Sequence, residues 1–254
     1  MQEMLPPGSF IRRMPRSDMA VVLIPGFMLN RDFWSDITPA LTPFGPLIHS
    51  DPSAGNSIED MARLTLQAAP RSFILIGFSM GGYVAREIVR MAPEQVSRLV
   101  LIATSSRGDN ELQARRKTAA ADVAPGTFGG VSRKSIRQSL APACEQDTVL
   151  IERIHAMSVQ LGGETFRRQA SLRRDGDTRR LAEIRCPTMI VAGRHDRLRS
   201  LEEANELHSG IPGSKLVVME TGHMVPLEAP GKIASILSDF MRGKDSLDAL
   251  ADRR

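Results

Sequence analysis

The residues best suited to chemistry lie at positions 77–82, which read GFSMGG. A serine hydroxyl is a poor nucleophile at neutral pH unless a base takes its proton as it attacks. Glycines two residues before and two residues after Ser79 leave room for a sharp turn that exposes the hydroxyl between a strand and a helix. The pattern indicates a serine nucleophile. The alternative, in which Ser79 only caps a helix, would explain the serine but not the two glycines.

The segments on either side of Ser79 predict this turn. Residues 72–77 form a continuous apolar run that is typical of a buried strand, and residues 80–91 repeat apolar side chains with helical spacing. A strand entering the motif and a helix leaving it are the context that makes the motif specific. With this context the chain resembles the α/β-hydrolase fold superfamily from residue 21 to residue 241.

The rest of the chain fits the α/β fold that this resemblance implies, with a mostly parallel, doubly wound sheet. Short apolar runs predict five further strands, at 19–24, 46–50, 98–103, 188–192 and 215–219. Helical patterns lie between them, at 32–41, 57–69, 201–207 and 232–241.

About 80 residues without a strand-like run separate the strands at 98–103 and 188–192, which is too long for an ordinary crossover. We therefore predict a helical cap insertion at 106–185 and a hydrolase core made of residues 1–105 and 186–254. The cap shows four helical patterns, at 110–121, 132–139, 148–160 and 164–172.

The resemblance implies a general base. His223 is one of five histidines, and it lies in TGHMVPLEAP between the last predicted strand and the last predicted helix. This resembles the loop that carries the catalytic histidine in the family, whereas the other four histidines lack such a context. We expect His223 to take the proton of Ser79.

The resemblance also implies an acid that orients His223. Asp196 follows the strand at 188–192 and matches the family position, in the chain order Ser, Asp, His. Arg194 and Arg197 flank Asp196, so a surface ion-pair loop is the alternative interpretation. Acidic residues near 104–109 lack a comparable context.

Two backbone N–H groups are expected to stabilise the developing oxyanion. By resemblance these belong to Met80, just after the nucleophile, and to Phe27, in the loop after the first strong strand. Many relatives carry His-Gly in that loop, whereas this chain carries Pro25-Gly26. The backbone donor survives this difference, but a contact made by the histidine does not.

Four apolar residues are candidates for the wall of an acyl pocket, although each could equally belong to the core: Phe27, Met28, Trp34 and Phe78. The expected mechanism passes through an acyl-enzyme, which makes an ester, thioester or lactone the natural substrate. Dehalogenation and epoxide opening in this fold use a carboxylate nucleophile, so a serine at position 79 argues against them.

Several subfamilies are similar to this chain: carboxylesterases, including those that demethylate a pimeloyl methyl ester on an acyl carrier protein, carbon–carbon bond hydrolases and acyl-homoserine lactone hydrolases. A lyase using the same three residues remains an alternative, as does a ligand-binding or signalling protein with little turnover.

The net charge is +4, and the positive excess lies in the predicted cap. Residues 107–185 contain 15 Lys and Arg against 10 Asp and Glu, a difference of +5. Such an excess could attract an acidic acyl carrier protein, or it could be a solvated arginine-rich helical surface. The candidate residues are Arg115, Arg116, Arg167, Arg168, Arg173 and Arg174.

Composition sets the remaining expectations. The 254 residues are 42% hydrophobic and 24% charged, which suits one globular catalytic domain. We expect no nucleic-acid partner, no membrane association, no metal and no cofactor, because the corresponding motifs are missing. A cytoplasmic protein is the simplest interpretation, with Cys144 and Cys186 as packing residues. The sequence leaves open whether the protein is a monomer or a homodimer.

Overall fold

A parallel sheet forms the centre of the molecule. The computed structural model describes residues 19–51, 53, 55–109, 111 and 128–243. Within these residues the strands follow the order β2-β1-β3-β4-β5-β6, and every neighbouring pair is parallel. The strands are β1 Ala20–Ile24, β2 Leu47–His49, β3 Phe73–Phe78, β4 Val96–Ile102, β5 Thr188–Gly193 and β6 Lys215–Met219.

Helices connect these strands. The α-helices of the described residues are α1 Thr38–Leu41, α2 Ile58–Ala68, α3 Met80–Met91, α4 Arg133–Ser139, α5 Thr148–Ser171, α6 Leu201–Gly210, α7 Val225–Glu228 and α8 Pro230–Met241. Short 3₁₀ helices cover Arg31–Trp34, Thr42–Phe44 and Thr178–Glu183.

Both faces of the sheet are buried at its centre, which explains why β1 and β3 are continuous apolar runs. Along β1, Val21 and Leu23 point into one hydrophobic cluster, and Val22 and Ile24 point into another. The first cluster includes residues of α1 and α8, and the second includes residues of α2, α3 and α6. The predicted α/β class with a doubly wound parallel sheet is confirmed.

The helix predicted at 32–41 is wrong, because the structure divides that segment. A 3₁₀ helix occupies Arg31–Trp34, and the four-residue α1 begins only at Thr38. Pro39 lacks an N–H, so it is tolerated in the first turn of a helix but not in the interior of a longer one. The apolar spacing is compatible with one helix, whereas the proline requires a new start.

The segment between β4 and β5 contains helices and no strand among its described residues. The helices predicted at 148–160 and 164–172 join into α5 across a kink at Gly162, where φ is 75° and ψ is 172°. Apart from residue 111, the pattern at 110–121 lies outside the described residues. The division into a core domain and a cap stays a prediction.

The helices α4 and α5 of the predicted cap pack on the sheet. Ile136 of α4 and Leu150 and Ile154 of α5 belong to the same hydrophobic cluster as Val21 and Leu23 of β1. One face of α4 and α5 is therefore fixed by the same apolar burial that stabilises the sheet.

Two further properties of the described ranges concern membrane-spanning helices and the cysteines. None of the helices there is both long and apolar enough to cross a bilayer. Cys144 and Cys186 are free and partly buried, and burial is the main cause that raises the pKa of each thiol.

A buried ion cluster ties the end of the predicted cap segment to α3. Arg86, which is fully buried, donates from Nε and Nη2 to the two carboxylate oxygens of Asp177 at 2.8 and 3.0 Å, and Arg90 Nη1 donates to the same carboxylate at 2.8 Å. Burial alone would raise the pKa of Asp177. The charges and hydrogen bonds of the two arginines outweigh burial and hold that pKa below its ordinary value.

Replacing Asp177 by alanine should lower the free energy of unfolding by about 3 to 5 kcal/mol at pH 7, because a buried guanidinium loses its counter-charge. A lowered carboxyl pKa stabilises the fold above the unfolded pKa of about 3.9, and this stabilisation is lost as pH falls through the lower folded pKa. The difference between wild type and variant in urea unfolding should therefore shrink below about pH 4. Asp175→Ala, at an exposed pair with Arg173, is the matched control and should have little effect.

Candidate active site

Ser79 stands at the tip of β3 in a strained backbone conformation. Its φ is 51° and its ψ is −112°, a region that residues with a side chain rarely occupy. Two hydrogen bonds hold this conformation from the β4 side of the sheet. The Ser79 N–H donates to the Ile102 carbonyl at 2.9 Å, and the Thr104 hydroxyl donates to the Ser79 carbonyl at 2.7 Å.

The glycines around Ser79 are required by close backbone packing. A Cβ at Gly77 would lie 2.5 Å from the Gly81 carbonyl oxygen, and a Cβ at Gly81 would lie 2.3 Å from the Ile24 carbonyl oxygen. A Cβ at Gly82 would lie 2.4 Å from the Thr104 hydroxyl. All three distances are shorter than real Cβ contacts, so α3 reaches β1 and β4 only because these side chains are absent.

The structure brings Ser79, His223 and Asp196 together. His223 Nε2 lies 2.9 Å from Ser79 Oγ, and His223 Nδ1 lies 2.7 Å from Asp196 Oδ2. Asp196 Oδ1 accepts the N–H groups of Leu198 at 2.7 Å and Arg199 at 2.9 Å. A carboxylate only accepts, so Nδ1–H is the donor in its bond with His223, and Nε2 is left to accept the serine proton.

The arginines beside Asp196 face other partners. Arg194 pairs with Glu220, and Arg197 pairs with Glu145. The Asp196 side chain itself is 1% exposed and bonds to His223. The geometry therefore does not support the alternative of a surface ion-pair loop at this position.

Two predicted oxyanion donors border the serine. Met80 is the first residue of α3, where an N–H has no acceptor within the helix. Phe27 follows Gly26, and a Cβ at Gly26 would lie 3.3 Å from Ser79 Cβ, so this loop passes directly beside Ser79. The oxyanion role of these two N–H groups stays a prediction.

The neighbouring N–H of Met28 is already engaged. It donates to Oε1 of Gln169 at 2.8 Å, and Gln169 is a buried residue of α5. Met28 has a positive φ of 53°, which this hydrogen bond helps to hold. A side chain of α5 thus fixes the loop that carries Phe27.

A cavity of about 790 Å³ opens above Ser79 and His223. The predicted wall residues Phe27, Met28 and Phe78 line it, and the Phe78 ring lies 5.1 Å from the His223 ring. Trp34 does not line it, so that prediction is corrected. Trp34 is fully buried, and its ring packs 4.8 Å from that of Phe33.

The cavity lining contains two chemically different groups of side chains. One group is aromatic, with ring centroids of Phe166 and Phe27 5.6 Å apart and those of Phe166 and Phe128 4.6 Å apart. The other group is Arg174 and Arg199, each paired with a carboxylate and each within 6 Å of the Tyr83 ring centroid. The cavity therefore offers both apolar and cationic contacts to a ligand.

Sequence reasoning missed three residues that shape this site. Thr104 and Gln169 act through contacts distant in sequence, and no local pattern identifies them. Glu228 lies inside the histidine loop, and its carboxylate accepts the N–H groups on both sides of His223. Its position five residues after His223 was the sequence feature that could have identified it.

Comparisons with known proteins agree with the fold. A family model described as the alpha/beta hydrolase family matches residues 21–236. The chain is 29% identical over 239 residues to a pimeloyl-[acyl-carrier protein] methyl ester esterase of Photobacterium profundum, with 87% of this chain and 94% of that protein covered. A protein of the same name from Yersinia enterocolitica is 30% identical, with 88% and 93% covered. A thermophilic esterase from Thermogutta terrifontis superposes with a TM-score of 0.78 at 22% identity, covering 90% and 91%, which shows the shared fold.

Gly81→Ala should damage the site because the new methyl group meets the Ile24 and Pro25 carbonyl oxygens. We expect a stability loss of about 1 to 3 kcal/mol from overpacking. We also expect activity on an ester to fall on the order of 10²-fold, since Met80 and Ser79 shift relative to Phe27. Gly231→Ala is the matched control, because nothing lies within 4 Å of the place its methyl group would take on α8. Equal activity of the two variants would contradict the steric argument.

Proposed function

The chain belongs to the alpha/beta hydrolase family, and from this membership we propose that it is a serine esterase that cleaves a carboxylic ester. The observation that carries the proposal is the line of hydrogen bonds from Asp196 through His223 to Ser79, which ends at a cavity. Its relatives are named as esterases.

In the acylation step, Ser79 Oγ attacks the carbonyl carbon of the ester while His223 Nε2 takes the hydroxyl proton. The buried carboxylate of Asp196 stabilises the imidazolium that forms. The carbon–oxygen bond to the leaving alcohol then breaks, and the alcohol takes the proton from His223. The acyl group remains as an ester on Ser79.

In the deacylation step, His223 takes a proton from water as the water oxygen attacks the acyl carbon. The bond to Ser79 Oγ breaks, and the serine regains its proton from His223. The products are the carboxylic acid and the free enzyme. In both steps the negative charge on the carbonyl oxygen would be stabilised by the N–H groups of Phe27 and Met80, and no metal or cofactor takes part in the scheme.

For the substrate we propose a methyl ester of an acyl group carried by an acyl carrier protein. Two curated relatives that match most of the chain carry that name. A cavity of about 790 Å³ with stacked aromatic side chains in its lining is large enough for an extended acyl chain.

The arginines predicted from the sequence give the carrier part of the proposal little support. Three of the candidate cap arginines have acidic partners: Arg168 with Glu164, Arg173 with Asp175 and Arg174 with Asp109. Arg115 and Arg116 lie outside the described residues.

Lys134 and Arg137 are better candidates for binding an acidic carrier than the arginines predicted from the sequence. Both are exposed on α4, the helix that also contributes Ser135 and Gln138 to the cavity lining. An acidic carrier bound to this helix would place its acyl group at the cavity mouth.

Ser79→Ala should abolish release of p-nitrophenol from a short p-nitrophenyl ester and should prevent labelling by a fluorophosphonate, because the attacking oxygen is gone. Ser171→Ala, on the exposed side of α5, should behave like wild type in both assays. A wild-type protein that binds esters without turnover would instead indicate a receptor of the same fold. Hydrolysis that persists in Ser79→Ala would refute the proposed nucleophile.

The double variant Lys134→Glu, Arg137→Glu should lower kcat/KM on a carrier-bound methyl ester by about tenfold or more at low salt, and this deficit should shrink as salt is added. Hydrolysis of a free methyl ester should stay within about twofold of wild type.

The charge-matched control is Arg179→Glu, Arg185→Glu. Arg185 lies just before β5 begins, at the amino ends of the strands, whereas the site lies at their carboxyl ends. Arg179 lies in the 3₁₀ helix Thr178–Glu183, which precedes β5. The control should leave both reactions unchanged. An equal loss in both double variants would argue against docking at α4.

A further inference from the structure

Glu228, the last residue of α7, holds the histidine loop through its carboxylate. Its Oε1 accepts the N–H of Met224 at 3.0 Å, and its Oε2 accepts the N–H of Gly222 at 2.9 Å. These two N–H groups belong to the residues immediately before and after His223. The backbone that carries the imidazole is therefore fixed on both sides by one side chain.

The same carboxylate also reaches the predicted cap. Glu228 Oε2 accepts the N–H of Ala141 at 2.8 Å, and Ala141 follows the end of α4 by two residues. One side chain thus joins the histidine loop to the segment that leaves α4.

The two segments also touch backbone to backbone. The His223 N–H donates to the Ser139 carbonyl at 2.7 Å. A Cβ at Gly222 would lie 2.4 Å from the Ala141 nitrogen, so a residue with a side chain would not fit there. The backbone of the histidine loop therefore contacts the backbone of residues 139–141 directly, with no side chain between them.

Accepting three N–H groups requires a carboxylate. Its two oxygens only accept, so each can take one or two donors, and a charged acceptor makes the stronger bonds. A glutamine at the same position would offer one oxygen and one NH₂ group. Whichever way the amide turned, the NH₂ group would face at least one backbone N–H, and two donors repel each other.

We propose that Glu228 is a positioning residue that sets the His223 imidazole on Ser79 and couples the cap to it, an inference that rests on the proposed esterase function. Glu228 touches neither His223's ring nitrogens nor Ser79 in the structure, so it acts through the backbone on both sides of His223. Loosening the loop would displace Nε2 from Ser79 Oγ, whereas the parts of the cavity wall that come from α5 and from the loop after β1 would stay in place. A displacement on the order of 1 Å in a reacting group costs about 10²-fold in rate.

The test compares Glu228→Ala and Glu228→Gln with wild type. For Glu228→Ala we expect kcat on a small ester to fall about 10²-fold with KM within about twofold, and fluorophosphonate labelling of Ser79 to slow in parallel. For Glu228→Gln, which keeps the shape and part of the bonding, we expect kcat at least tenfold above that of the alanine variant but below wild type. All rates are measured well below each variant's melting temperature.

Ser57→Ala is the matched control. The Ser57 hydroxyl accepts the Asp60 N–H at the start of α2, so its loss also removes a side-chain-to-backbone bond, but far from the site. This control should lower the melting temperature and leave kcat and labelling unchanged. A purely structural role for Glu228 would produce the same behaviour in the Glu228 variants.

Each outcome decides the inference. Wild-type kcat and labelling rate in Glu228→Gln would overturn it, even if Glu228→Ala failed to fold. A rise in KM without a fall in kcat would overturn it in favour of a role in substrate binding. A wild-type protein that neither hydrolyses esters nor labels would overturn the proposed function as well, whereas normal wild-type activity with unaffected variants would overturn this inference alone.

Discussion

The left-handed backbone of Ser79 is the constraint on which the site depends. A residue with a side chain is strained at this φ, so the surrounding structure must hold it there. The Ile102 carbonyl and the Thr104 hydroxyl do so from the end of β4, and the β1 loop closes against α3 on the other side. The position of the Ser79 hydroxyl therefore depends on how β3 is aligned with its neighbours β1 and β4.

The remaining groups come from the same sheet edge. Asp196 follows β5, and His223 follows β6, so parallel strands place both side chains at their carboxyl ends. This is where ligands bind in open parallel sheets. Helices α4 and α5 complete the arrangement: α5 contributes Gln169 to the loop after β1, and α4 contributes the Ser139 carbonyl to the histidine loop. These two helices are therefore a structural part of the site and also line the cavity.

Local sequence patterns predicted the strands and helices whose formation depends on nearby residues. The apolar run into β3, the helix from Met80 to Met91 and the strand from Lys215 to Met219 follow from periodicity and turn residues, and the structure agrees with them closely. Family resemblance led to Asp196 and His223. Their side chains meet Ser79 only because the parallel sheet places the carboxyl ends of β3, β5 and β6 on the same side.

Two predictions failed for different reasons. The helix predicted at 32–41 is interrupted by Pro39 within that segment itself. Trp34 was a candidate for the cavity wall, but contacts with distant segments enclose its ring in the core. Charge counts also do not reveal pairs between distant residues, such as Arg174 with Asp109. Gln169 lies 141 residues from the amide that it binds, a separation that a single sequence cannot bridge.

The buried Trp34 gives this protein an internal optical reporter. It is the only tryptophan in the chain, and its ring contacts Phe33, which packs on Phe78, which in turn lies against the imidazole. The ring is fully buried in a hydrophobic cluster, and its indole N–H has no hydrogen-bond partner among the described residues, so the fluorophore should emit at short wavelength. Emission from this single ring would thus register both melting of the core and any ligand that displaces Phe78.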